Sequence, residues 1–191
     1  MAKRADLLSM LSVGRHALDP GRVCEVVELV AAQPSMASEL VKCIWDDDPG
    51  VASRAADAPE RLTRERPEIL TRWKDSLLGL LAEAEPKKVR WNLALIVPRL
   101  KLTPTECKRA AEVLNTRLDD PSSIVKTLAL QGLADLTRQD PSLLPSVVDL
   151  LRMYGRSGTP AMRARSRILL KKLERRSWEP GHVENSRASD K

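Results

Sequence analysis

Histidine and cysteine, the residues that most often carry catalysis and metal binding, are scarce in this sequence. The 191-residue chain has two His and three Cys. His16 precedes Ala17 and His182 precedes Val183, so neither histidine stands in a His-acid pair, and the cysteines are widely dispersed. The chain also has no Gly-rich phosphate loop and no Gly-x-Ser-x-Gly nucleophile motif. We therefore predict a protein that is not an enzyme, with no catalytic residues, no metal site and no cofactor.

The strongest chemical feature is a basic segment near the C-terminus. Residues 152–176 contain nine basic residues and one acid, which gives this segment a charge of +8, whereas the whole chain carries +6. The basic residues are Arg152, Arg156, Arg163, Arg165, Arg167, Lys171, Lys172, Arg175 and Arg176. Clustered Arg suits acidic or phosphate-bearing partners, because guanidinium groups bind carboxylates and phosphates in a bidentate way. A charged outer face is equally what the last helix of a helical array needs for solubility, and both interpretations stay open.

The basic segment contains the last of four similar stretches of the chain. The anchor residues of these stretches are Val51, Val89, Val125 and Met162, spaced by 38, 36 and 37 residues. A Pro lies upstream of every anchor and follows, in chain order, Asp48, Glu85, Asp120 and Thr159. An acidic or hydroxyl residue before Pro is typical of a helix start, because its side chain caps free N–H groups and Pro has none to cap. We therefore predict that a helix begins at each of these prolines.

A second helical pattern follows in each unit. It is predicted to begin at Pro67, Pro104 and Pro141 in successive units. The apolar residues at the i, i+3, i+7 spacing of a helix with one buried face are Leu70, Trp73, Leu77 and Leu81. Similar residues recur in the next two units. No strand pattern competes, so the sequence predicts an all-α protein. Trp45 is predicted to be buried, whereas Trp91 points away from its apolar stripe and is a candidate partner contact.

A period of about 37 residues with two helices per unit resembles the HEAT and armadillo class of helical repeats. The resemblance implies a right-handed α-α superhelix, a HEAT/ARM-like solenoid of about four to five helix pairs. We predict one domain over residues 1–177, with repeats at 48–84, 85–119 and 120–158. Residues 1–47 are predicted to form an atypical N-terminal cap and residues 159–177 a basic C-terminal cap helix. Residues 178–191 lose the periodicity and are predicted to be a disordered tail.

The resemblance also implies a binding face, since in solenoids of this class the second helices line the concave surface. Opposite the buried stripe, basic and acidic residues of the predicted second helices recur at intervals of 37 residues. The residues of this second-helix face are Arg72, Asp75, Arg109, Glu112, Asp149 and Met153. Acid and base three residues apart on a helix can pair locally and across neighbouring units. The mixed sign differs from the basic lining that a nucleic-acid backbone requires.

The sequence favours a non-enzymatic scaffold that binds a protein or peptide through the second-helix face. The alternative is a nucleic-acid-binding protein or divergent HEAT-like DNA glycosylase that docks through the basic C-terminal helix. HEAT-like alkylpurine DNA glycosylases present Trp, Asp and Arg on a basic concave face, but Trp73 and Asp75 point in divergent directions on one helix. No apolar run is long enough for a membrane span. Cysteines that are odd in number and scattered along the sequence indicate a cytoplasmic protein. The oligomeric state stays open.

Overall fold

Ten α-helices and several short 3-10 turns build the part of the chain that the structure describes. The computed structural model describes residues 4–16 and 19–178, and no β-strand occurs among them. The predicted all-α fold is therefore confirmed for these residues. The predicted tail lies outside them except for residue 178, as do residues 1–3 and 17–18 of the predicted N-terminal cap. The α-helices are α1 (Arg4–Ser12), α2 (Val23–Ala32), α3 (Ala37–Cys43), α4 (Pro49–Glu65), α5 (Lys74–Glu83), α6 (Lys87–Ile96), α7 (Pro104–Thr116), α8 (Ser123–Leu136), α9 (Leu144–Ser157) and α10 (Pro160–Trp178).

The capping residues explain where the first helix of each unit begins. Asp48 Oδ1 accepts hydrogen bonds from the Gly50 and Val51 backbone N–H groups at 2.7 and 3.3 Å, and α4 begins at Pro49 as predicted. Two predicted starts are too early. Helix α6 begins one residue after Pro86, whose ψ of 124° is extended, and α8 begins two residues after Pro121.

The second helices begin less sharply than the first. Pro104 opens α7 as predicted, but the segments after Pro67 and Pro141 open as 3-10 turns, and regular helix starts only at Lys74 and Leu144. The physical reason at Pro67 is its poor cap, since no side chain there satisfies the free N–H groups of the first turn. The second helix of this unit is consequently the shortest of the three.

The helices pack side by side in the order of the chain. We call α4, α6, α8 and α10 the first helices, and α5, α7 and α9 the second helices. Each first helix packs along the next one, and α2 packs on α4 in the same way. The second helices each lie against a first helix, but contact one another far less extensively. The first helices therefore form the continuous spine of the described structure.

Aliphatic side chains and alanines fill the core between the two sets of helices. Leu70, Leu77 and Leu81 are fully buried as predicted, whereas Trp73 is only half-buried. A Cβ added at Gly132 of α8 would lie 2.5 Å from a backbone oxygen of α6, so this residue lets two first helices approach closely. The predicted burial of Trp45 is wrong, because this residue follows the end of α3 and its exposed fraction is 51%.

Long polar side chains tie each helix pair to the one before it. In four places such a side chain donates to backbone oxygens at or near the C-terminal end of an earlier helix. These bonds run from Arg66 to Ala31 O (3.1 Å), Arg99 to Glu60 O (2.8 Å), Arg117 to Leu81 O (2.7 Å) and Gln139 to Leu100 O (3.0 Å). Ala31, Leu81 and Leu100 lie at the end of a helix or turn, where carbonyl groups lack partners within the helix, so the bonds to them stabilise the earlier unit. Burial lowers the pKa of Arg117 from its ordinary value, but its guanidinium stays far from deprotonation.

Glu106 joins α5 to α7 while it caps α7. Its carboxylate accepts a hydrogen bond from the Thr103 backbone N–H at 2.8 Å, and the Thr103 hydroxyl accepts one from the Glu106 N–H, which completes a capping box. Lys74 Nζ lies 2.7 Å from the same carboxylate. The hydrogen bond from Lys74, followed by that from Thr103, lowers the pKa of Glu106 below its ordinary value. The charged form therefore stabilises the fold.

We expect the substitution Glu106→Gln to lower the stability of the fold at neutral pH and to leave it nearly unchanged at acidic pH. A lowered pKa means that the stabilisation is present above the unfolded-state pKa and is lost as the pH falls through the folded-state pKa. The variant should thus have a lower melting temperature than the parent at neutral pH, and this difference should shrink as the pH falls below the ordinary pKa of Glu. Thermal unfolding followed by circular dichroism across this range tests the prediction. A difference that stays constant with pH would contradict it.

Within residues 4–16 and 19–178, no helix combines the length and apolar character that a membrane span requires.

Candidate binding groove across the first helices

Basic side chains lie together along the C-terminal ends of the first helices. Arg64 of α4, Arg99 after α6, Arg138 after α8 and Lys172 of α10 line one open cavity of about 510 Å³. A cavity of this size is in the range of ligand-binding clefts. We call this cavity and its continuation described below the first-helix groove. The groove crosses four helices that are far apart in sequence, and only the fold brings their cations together.

Glu60 forms ion pairs with two of these four cations. Its carboxylate lies 2.6 Å from Arg64 Nη2 and 3.0 Å from Arg99 Nη2, and its side chain is almost fully buried. The hydrogen bond that Arg64 donates to Glu60 raises the pKa of Arg64. Because one carboxylate holds both guanidinium groups in place, this end of the groove is rigid and only partly positive.

The other end of the groove carries uncompensated positive charge beside an apolar residue. Arg138 and Lys172 also line a second cavity of about 480 Å³, together with Lys171, Arg175 and Ile168. None of these four cations makes an ion pair with any described side chain. Ile168 lies among them with 61% of its surface exposed. An exposed aliphatic side chain surrounded by free cations favours a ligand that is both acidic and apolar.

Polar side chains from α8 complete the wall between the two cavities. Gln131 Nε2 donates to Asp135 Oδ2 at 2.8 Å, and Gln131 Oε1 accepts from Arg165 Nη1 at 3.1 Å. These two hydrogen bonds fix the side-chain amide of Gln131 and orient Arg165 against α8. Asp135 places negative charge in the lining of the groove, and the buried Glu60 lies behind Arg64 and Arg99, so the groove is basic but mixed in sign.

The predicted basic segment divides into several surfaces. Lys171, Lys172 and Arg175 line the groove, and Arg165 lies beside it. Arg163 and Arg167 lie on another side of α10, where Arg163 Nη1 donates to Gly158 O and Arg167 Nε donates to Arg163 O. Arg152 and Arg156 are exposed on α9, and the side chain of Arg176 lies outside the described residues.

Arg167 identifies the face of α10 that closes the array. The residues at the same repeat position in α4, α6 and α8 are Ala56, Ala94 and Leu130, and each is fully buried. Arg167 is exposed instead. A charged residue at a position that elsewhere packs in the core gives α10 a solvated outer face. The solvated-cap interpretation of the basic segment thus suits this face, and the partner-binding interpretation suits the groove.

The residues of the second-helix face are all exposed, but the structure does not gather them into one cavity. Arg72 lies in the 3-10 turn before α5, with its guanidinium 4.9 Å from the ring centre of Trp73. Among the described residues, neither Arg72 with Asp75 nor Arg109 with Glu112 brings its charged atoms within 4.0 Å of each other.

The α9 part of the second-helix face behaves differently. Asp149 lies 3.6 Å from Arg152 Nη1, and Met153 has an exposed fraction of 47%. A cavity of about 420 Å³ opens between α7 and α9, and Glu112 is the member of the predicted face that lines it. The predicted face is therefore a set of separate exposed positions on three helices.

Sequence reasoning missed Arg64, Arg99, Arg138 and Ile168. One signal was present, since Arg64, Arg138 and Arg175 each stand thirteen residues after the anchor of their unit. Arg99 and Lys172 similarly stand ten residues after theirs. Basic residues at fixed repeat positions in or just after the first helices thus indicated the groove. The binding face was expected instead from the repeated residues of the second helices.

The described residues contain no group of three or more His, Cys, Asp and Glu side chains arranged to hold a metal ion. Of the three cysteines, Cys43 and Cys107 are buried and Cys24 is exposed. Burial raises the pKa of the Cys107 thiol. Its thiol is therefore protonated at neutral pH and packs as a small apolar group.

Fold and groove together define an all-helical protein of serially packed helices with a basic cleft. No protein-family model matches the chain, and no curated protein matches it either. Among solved structures, the chain is similar to the crystal structure of an engineered protein, with 16% sequence identity and a TM-score of 0.62. The similarity covers 90% of this chain and 79% of the engineered one. At this identity the likeness concerns the fold alone.

Proposed function

We propose that this protein is a non-enzymatic binding scaffold that holds an acidic, partly apolar segment of another protein in the first-helix groove. The observation that carries the proposal is the exposed Ile168 among four cations without ion pairs. A peptide with carboxylates spaced around an aliphatic side chain matches this arrangement, because the apolar contact provides affinity and the charges provide orientation. The groove and the second-helix face differ in which helices meet the partner, so both are tested below.

We further propose that the helix pairs form a HEAT-like right-handed superhelix. The repeat period and the successive packing of α4, α6, α8 and α10 support this architecture. In a curved stack, the row of helices with the closer mutual packing lies on the inner side. The close packing of the first helices therefore supports an inner surface formed by them, which departs from the expectation that the second helices line the concave surface.

A nucleic acid is the second candidate partner for the groove. The excess of Lys and Arg on α10 favours it, since phosphate neutralisation dominates the affinity of such complexes. Asp135 lines the same groove and would repel a phosphate backbone. The groove also lacks an aromatic platform for base stacking among its lining residues. A protein partner is therefore the better match.

A binding assay with a charge-reversed groove tests the proposal. The probes are a fluorescent acidic peptide of alternating Glu and Leu, and single- and double-stranded oligonucleotides of similar length. In the variant Arg138→Glu, Lys172→Glu, Arg175→Glu, peptide affinity should fall tenfold or more, about 1.4 kcal/mol. The control Arg152→Glu, Arg156→Glu, Arg167→Glu has the same change in charge away from the groove. It should keep affinity within about threefold, since distant charges are screened.

Each contrary outcome has a distinct meaning in this assay. Equal losses in both variants would show unspecific attraction and overturn the groove. Preferential oligonucleotide binding, with an affinity that falls steeply with salt, would favour the nucleic-acid candidate. If the substitutions Arg72→Glu and Arg109→Glu abolish peptide binding while the groove variant retains it, the partner binds the second-helix face.

A further inference from the structure

A second concave site lies at the opposite ends of the first helices from the groove. It is a cavity of about 230 Å³ between the loop after α3, the start of α4, the end of α5 and the start of α6. Ile44, Ala52, Leu80, Ala84 and Val89 form apolar walls. The volume is below that of clefts for drug-sized ligands and suits a single long side chain.

Trp45 and three carboxylates surround the mouth of this cavity. Trp45 lines it and is 51% exposed, which is unusual for the largest side chain in the protein. Asp46, Glu83 and Glu85 also line it, and no lysine or arginine does. None of the three carboxylates makes an ion pair with a described residue. The rim is therefore an aromatic face beside uncompensated negative charge.

The cations near the cavity are already engaged elsewhere. Arg90 of α6 donates to the backbone oxygen of Glu85, but its charge is balanced by Asp120, whose carboxylate lies 2.7 Å from Arg90 Nε. Lys88 is directed to Asp57, with 3.6 Å between Nζ and Oδ2. Neither of these two cations therefore neutralises the carboxylates of the rim.

We propose that this Trp45 pocket binds a Lys or Arg side chain presented by a peptide segment of a partner protein. The aliphatic stem of such a side chain fits an apolar cavity, while its cationic head meets the indole face and the carboxylates. Trp and Arg are also the residues most enriched at the energetic centres of protein interfaces. The pocket thus selects a basic segment, whereas the first-helix groove selects an acidic one, and each site is tested independently of the other.

An NMR titration of the ¹⁵N-labelled full chain with small blocked amino acids tests this assignment. The probes are N-acetyl-arginine methylamide, the lysine analogue, the uncharged norleucine analogue and the anionic glutamate analogue. The Arg and Lys probes should shift the Trp45 indole N–H and the amides of Glu83 and Glu85, with millimolar affinity. Norleucine should bind at least fivefold more weakly, and glutamate should not bind, because only a cation gains from the rim.

Variants localise the effect. Trp45→Ala should weaken Arg binding about fivefold, and Glu83→Gln with Glu85→Gln should weaken it at least as much. The control Glu65→Gln with Asp119→Asn removes the same charge from two exposed, unpaired positions and should leave the affinity unchanged. Circular dichroism of each variant verifies that the fold is retained.

Three results would overturn the assignment. The first is equal affinity for the norleucine and Arg probes. The second is a set of chemical shift changes located away from the pocket. The third is an equal loss of affinity in the control and in the pocket variants. Concentration-dependent self-association that disappears in Trp45→Ala would identify a second copy of this chain as the occupant in place of a partner protein.

Discussion

Replacement of Arg54 with Ala should lower the free energy of unfolding by about 2–4 kcal/mol and release the N-terminal segment. Arg54 is only 3% exposed, and its Nε donates to Leu11 O while Nη1 donates to His16 O at 3.3 Å. Leu11 lies at the C-terminal end of α1, where the helix dipole favours a cation. No carboxylate pairs with this buried guanidinium among the described residues.

The surroundings of Arg54 explain why the effect should be large. A Cβ at Gly14 would lie 2.5 Å from Arg54 Nη1, and one at Gly50 would lie 3.1 Å from Nη2, so the guanidinium packs directly on backbone. Lys at this position cannot form both hydrogen bonds with the geometry of a guanidinium, so Arg54→Lys should recover only part of the stability.

Urea unfolding and hydrogen exchange measure this prediction. Amides of α1 should exchange faster in Arg54→Ala, while amides of α6 and α8 should keep most of their protection. Arg138→Ala is the matched control, because Arg138 is exposed and makes no ion pair, and it should change stability by less than about 0.5 kcal/mol. Equal stability of the two variants would contradict a clamping role for Arg54.

Loss of Asp120 should cost about 3–5 kcal/mol, because it leaves a buried cation without its partner. Asp120 has a side chain only 2% exposed, and its carboxylate accepts from Arg90 Nε at 2.7 Å and Nη2 at 3.3 Å. Its Oδ1 also accepts the Ser122 N–H at 2.8 Å, just before α8. The pair therefore fixes the start of one first helix against the previous one.

A double-mutant cycle separates the pair from its surroundings. Asp120→Ala and Arg90→Met should each be strongly destabilising, and the double variant should lose less than the sum of the two. The exposed pair of Arg22 and Glu25, with 2.7 Å between charged atoms, provides the comparison and should contribute little to stability, because water screens it. Additive losses for Arg90 and Asp120 would show that the two side chains act independently.

The sequence predicted helices better than it predicted their ends. Apolar spacing identified the buried face of α5, because burial of one stripe is a property of neighbouring turns. The starts of α6 and α8 were misplaced, since Pro86 adopts an extended conformation and the Asp120 carboxylate, held by Arg90, accepts the Ser122 N–H rather than an N–H group within α8. A capping motif in sequence does not reveal a competing partner thirty residues away.

The candidate groove was harder to predict because it depends on contacts between units. The basic residues of α10 were visible as a run, but Arg64 and Arg99 join them only through the packing of four helices and share a carboxylate with each other. Exposure of Trp45 was equally hidden. Its apolar neighbours suggested a core position, whereas the chain leaves α3 there and turns the ring towards a cavity mouth.

The side chains that bond back to an earlier helix pair give this molecule a direction of assembly. Arg66, Arg99 and Arg117 lie 35, 39 and 36 residues after the carbonyl groups that they satisfy. On a ribosome, this distance corresponds to roughly 2–7 s of synthesis. The carbonyl groups of each newly made helix pair therefore stay hydrated until the next stretch of chain emerges and donates hydrogen bonds to them. Shortening the chain from its C-terminus would accordingly loosen the unit that remains as well as remove the one that is lost.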